Sequence, residues 1–151
     1  MTTDRFENII DFAIKSEIAA YELYEKYAGI VTNPAQKKLL SEMAAMERGH
    51  EQKLRKLYET GKAVFVKPQD VQDLKIADYL VDVELRESSP IEDVFIFAMK
   101  SEQKAFDLYS RLAGQEQKEE YKNLFLGLAG EEKKHKHDLE VEYEKGIMNE
   151  N

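Results

Sequence analysis

The chain has 151 residues, 42% of them hydrophobic and 34% charged, with a formal net charge of −8 and no Cys. This length supports one domain with a real core. The lack of Cys excludes disulfides, zinc–thiolate and iron–sulfur sites and cysteine nucleophiles within the chain. The acidic balance, with no basic patch to track phosphates, argues against nucleic acid as a partner. No apolar run reaches membrane-spanning length, and no signal or lipidation motif stands out, so a cytoplasmic protein with no membrane partner is expected.

Gly and Pro cut the sequence into four long pieces of helical period. The first runs from about Asp4 to Ala28, with Gly29 as its expected cap. Asn33-Pro34 reads as an N-cap followed by Pro at the first helical position, opening a second piece that ends at Thr60 before Gly61. A less regular stretch follows, with a strand-like Ala63–Val66 and a short helix expected around Ile76 to Val81. Ser89-Pro90-Ile91-Glu92 reads as a capping box that opens the third piece, which closes at Gly114. The fourth runs from about Gln117 to Lys145 and closes at Gly146. Apolar stripes such as Phe6, Ile10, Ala13, Ala20, Tyr24 and Ala28 mark a buried face. The expectation is an all-α, ferritin-like four-helix bundle in a single domain over 1–151. It comprises a hairpin at 4–60, a crossover at 61–89 and a hairpin at 90–145.

The halves repeat each other. FAIKSEIAAYELYEKYAG, from Phe12, aligns without gaps to FAMKSEQKAFDLYSRLAG, from Phe97, with ten of eighteen positions identical at an offset of 85. The same offset carries Glu17 onto Glu102, Glu47 onto Glu132, His50 onto His135 and Tyr24 onto Tyr109. Similar cores explain repeated apolar positions. They give no reason to repeat a carboxylate and an imidazole.

Glu17 lies on the apolar stripe between Ala13 and Ala20, and Glu102 on its counterpart between Ala98 and Ala105. A carboxylate on a core stripe needs a proton, a partner or a metal. Glu47 and His50, and likewise Glu132 and His135, sit at i and i+3 and share a helical face. One Glu from each of two helices, with Glu-x-x-His from each of the other two, is the ligand pattern of dinuclear carboxylate proteins. Four ionised Glu match the charge of two divalent cations, and oxygen with imidazole nitrogen suits iron, manganese or zinc. Tyr24 and Tyr109, each seven residues after a candidate ligand, can direct hydroxyls along the same face as donors to carboxylates of another helix. His137 has Gln52 as its repeat mate and reads as surface. Met43, Met46 and Met99 read as core filler.

These motifs resemble the ferritin-like superfamily, and most closely the di-iron domain of rubrerythrin-type proteins, over about Phe6 to Tyr143. The resemblance implies two iron ions and reaction with hydrogen peroxide or dioxygen. Members of this family usually carry a further Glu three residues after the third-helix ligand, where this chain has Ala105. They also commonly carry a rubredoxin domain with four Cys, so an external donor such as a rubredoxin or flavoprotein is implied here. The six-ligand set is also similar to that of bacterioferritin, but Arg48 stands where bacterioferritin has its haem-ligating Met. With no fifth helix after the fourth, a homodimer is expected in place of a storage cage. The resulting expectation is an oxidoreductase. The alternatives are an iron-binding ferroxidase with little turnover, a manganese catalase-like protein, or a structural zinc site.

Overall fold

The computed structural model describes residues 2–145, with the side chains of residues 2–5 outside that description. Four long helices carry the chain: α1 (Thr2–Ile30), α2 (Pro34–Thr60), α3 (Ile91–Gln115) and α4 (Glu119–Tyr143). There is no strand among the described residues. The chain is therefore all-α, with the element content and order of the ferritin-like four-helix class. No helix among the described residues is long and apolar enough to cross a membrane.

Local chemistry accounts for several boundaries. Asn33 caps α2, its Oδ1 accepting from the Ala35 amide at 2.8 Å and the Gln36 amide at 3.3 Å, with Pro34 next. Gly61 ends α2 in the left-handed region, at φ 72°, where its amide donates to the Leu57 carbonyl. The expected caps at Gly29 and Gly114 are not caps: α1 continues to Ile30 and α3 to Gln115. Ser89 does not close a capping box either. The N-cap of α3 is Pro90, and the Ser89 hydroxyl instead accepts from the Arg86 amide at 2.7 Å. α4 starts two residues later than expected, at Glu119, and the expected closure at Gly146 lies outside the described residues.

The chain packs as two compact units. The first is the α1–α2 hairpin together with Leu85–Ser89. Ile10, Ala13, Tyr24, Leu40, Met43 and Leu54 form its core, each large apolar side chain contributing about 1.5–3 kcal/mol on burial. Leu85–Ser89 is tied on by backbone and side-chain bonds: the Thr32 amide donates to the Glu87 carbonyl at 3.3 Å, and Gln36 Nε2 to the Ser89 carbonyl at 2.5 Å. Met46, expected in the core, is 37% exposed.

The second unit is the α3–α4 hairpin together with Val64–Glu84. Its core includes Ala98, Met99, Tyr109, Tyr121 and Leu128. The Ala63–Val66 piece forms no strand, and the short helix expected around Ile76 is a single 3-10 turn, Ala77–Tyr79. The crossover lies along one face of α4. Two glycines admit it: a Cβ at Gly127 would meet the Phe65 ring at 2.7 Å, and one at Gly130 would collide with the Val66 carbonyl. Side chains then fasten it. Glu131 accepts from the Val66 amide at 2.8 Å, and Lys133 Nζ donates to the Pro68 carbonyl at 3.1 Å. Farther along, the Ala77 amide donates to Glu140 at 3.0 Å. The cover shows in burial: α4 has 13 buried residues of 25, against 7 of 27 in α2.

Candidate metal centre

Each unit brings the same three side-chain types together, all of them buried except the partly exposed His135. In the first, Glu17 from α1 and Glu47 from α2 are each 2% exposed, and His50 is 4%. His50 Nδ1 lies 3.4 Å from Glu17 Oε2 and 3.7 Å from Glu47 Oε2, so two carboxylates converge on one ring nitrogen. In the second, Glu102 from α3 and Glu132 from α4 are each 1% exposed. His135 Nδ1 lies 3.9 Å from Glu102 Oε1. Glu132 and His135 also place ligand atoms within 4.8 Å of each other. In both units Nδ1 is the nitrogen that faces the carboxylates.

The helical register explains why these groups meet. Glu17 follows Ala13 on the face of α1 that is fully buried, and Glu102 follows Ala98 in the same way. The i, i+3 spacing turns each Glu and His of α2 and α4 to one side. A buried carboxylate is costly to ionise without a compensating charge. Two of them with an imidazole beside them, as in each unit, fit a hard or borderline divalent ion such as iron, manganese or zinc, and offer nothing soft.

Tyr24 and Tyr109 are each 1% exposed, and the Tyr109 ring stacks near Phe125 at 6.4 Å between centroids. Met43 and Met99 are fully buried. His137 is not simply surface: it is half-buried, with Nδ1 2.9 Å from the Gln72 carbonyl. Arg48, beside Glu47, points outward, donating to the Tyr21 hydroxyl at 2.5 Å and lying over its ring at 4.0 Å.

A second set of buried charges flanks the α4 trio and has no counterpart in the sequence reading. Lys136 is 1% and Glu140 0% exposed. Lys136 Nζ is 2.6 Å from Asp73 Oδ1 and 3.3 Å from Glu140 Oε2. Burial alone would lower the Lys136 pKa, but the Asp73 hydrogen bond and the Glu140 and Asp73 charges outweigh it and hold it above the ordinary lysine value. The signal that could have exposed this face is Gly127-x-x-Gly130, a pair of glycines inside a helical run, which marks close approach of other backbone.

A family model described as rubrerythrin matches residues 8–143. Among solved structures, a hypothetical protein from Pyrococcus furiosus is similar, with 31% identity, coverage of 92% of this chain and 88% of that one, and a TM-score of 0.53. No curated protein sequence matches the chain.

Proposed function

Because the chain belongs to the rubrerythrin family, we propose that its two carboxylate–imidazole trios combine into one centre for two iron ions, which reduces hydrogen peroxide or dioxygen. The observation that carries this reading is that each hairpin buries two Glu beside a His, Glu17 and Glu47 with His50, and Glu102 and Glu132 with His135. Bound iron would supply two electrons per peroxide, which with two protons yields two waters.

The protein's own residues supply the rest. Glu17, Glu47, Glu102 and Glu132 would hold the two divalent ions and balance their charge. His50 and His135 each turn Nδ1 toward a carboxylate of the paired helix and would supply a nitrogen ligand. The hydroxyls of Tyr24 and Tyr109 orient carboxylates by hydrogen bonding, in the manner of outer partners at metal sites. Burial of all four Glu keeps bulk water from competing with the oxidant. With no Cys among these 151 residues, electrons would come from a donor outside them, such as a rubredoxin or a flavoprotein.

A second reading has a specific observation behind it. Ala105 stands where the family usually adds a Glu, so this chain would offer the ions one carboxylate fewer. This favours an iron-binding ferroxidase with slow turnover, or a centre less selective for peroxide over dioxygen. Anaerobic stopped-flow mixing of the ferrous-loaded protein with each oxidant separates the readings. Repeated absorbance cycles in the presence of a reductant support the oxidoreductase. A single oxidation without recycling supports the ferroxidase. No spectral change over minutes with either oxidant would rule out both.

A further inference from the structure

The two trios are repeats, but their supports are not. On α4, Glu131 and Lys136 stand immediately beside the candidate ligands Glu132 and His135. Glu131 holds the Val66 amide at 2.8 Å, Lys136 holds Asp73 at 2.6 Å, and one turn on Glu140 holds the Ala77 amide at 3.0 Å. These three side chains are 8%, 1% and 0% exposed. Together with the glycine contacts they fix the axial rotation of α4 against the crossover over the turns that carry the ligands. At the offset of 85, their mates on α2 are Met46, Glu51 and Arg55. Among the described residues the matching positions are the more exposed: Met46 is 37% exposed, and Arg55 pairs with Glu51 on the same helix at 2.8 Å.

From this asymmetry we propose that the two metal positions are inequivalent: the position served by Glu102, Glu132 and His135 fills first and more tightly, because the crossover holds its ligands in place. This rests on the dinuclear reading above. Ligands already held in a binding geometry lose less freedom when an ion arrives, and partners that orient ligands set metal affinity. The His135 side chain is also the more accessible, 14% against 5% for His50. Glu131 is thus a positioning residue, acting on the metal through Glu132.

The test is titration of the apo full-length chain with manganese(II), counting free ion by electron paramagnetic resonance. Two separate binding steps are expected. Glu131→Ala should weaken the tighter step about tenfold or more, Glu131→Gln, which keeps an acceptor for the Val66 amide, should restore it, and Arg55→Gln should leave both steps unchanged. Crystals of the unaltered chain grown with one equivalent of manganese need no variant and should show anomalous density against Glu132 and His135. Two equal steps, or first occupancy at Glu47 and His50, would overturn the inequivalence. An unaltered tight step in Glu131→Ala would overturn the crossover as its cause. Failure to take up a second ion at saturation would instead defeat the dinuclear reading on which the proposal rests.

Discussion

At Gly130 of α4 an added methyl would strike the Val66 carbonyl, whereas at Gly49 of α2 it would meet nothing within 4 Å. Gly130→Ala is therefore expected to destabilise the fold by about 1–3 kcal/mol, through displaced backbone. Gly49→Ala, in a helix interior with open space, is expected to stabilise it by about 0.5–1 kcal/mol. Urea midpoints of the two variants should move in opposite directions, and movement in the same direction would contradict the glycine contact. The six candidate ligands were legible because each places an ionisable group where the apolar period or the repeat leaves no bland role for it. Glu131, Lys136 and Glu140 were not legible. They sit in a charged run, Glu131 to His137, that reads as a solvated face. Their partners lie in an irregular segment whose register against α4 follows from no periodicity.

The crossover behaves as a structural element although it contains only short turns. Asp73 anchors its middle, accepting from Lys136 and, at 2.8 Å, from the Lys75 amide. Partial burial would raise the Asp73 pKa, but the hydrogen bond from Lys136, the Lys75 amide and the nearby lysine charges outweigh it and hold the carboxyl below its ordinary 3.8. A carboxyl depressed on folding contributes stability that is fully present above 3.8 and is lost as pH falls through the folded value. Asp73→Asn should accordingly be less stable than the unaltered chain near neutrality, with the gap narrowing below pH 3.8. Urea unfolding at both ends of that range checks it, and a gap that stays constant into acid would show that the charge plays no part. The start of the crossover at Gly61 was readable from local chemistry, as Asn33-Pro34 was at the start of α2. Its other end was not, because Pro90 took the N-cap position that the Ser89 capping box implied, and Ser89 turned to the Arg86 amide instead.

For the whole molecule, the order of helices and the two-hairpin plan follow from Gly, Pro and the 85-residue repeat, and the family match over residues 8–143 agrees with them. What the repeat concealed was asymmetry: the crossover packs along α4 in one hairpin, whereas in the other the matching positions Met46 and Arg55 of α2 are exposed. An ion bound only by the folded chain raises stability by mass action, about 2.7 kcal/mol at a free concentration 100 times Kd. Chelation should lower the Tm, and Glu47→Ala with Glu132→Ala should abolish the metal-dependent part while circular dichroism remains helical. A double variant that still gains stability from metal would place the binding site elsewhere. The central claim is that two trios make one dinuclear centre, and anomalous diffraction from crystals saturated with iron or manganese tests it most directly. Two peaks per chain are expected, about 3.5–4 Å apart, against Glu17, Glu47, His50, Glu102, Glu132 and His135. A single peak at saturation, or ions held by other residues, would contradict it.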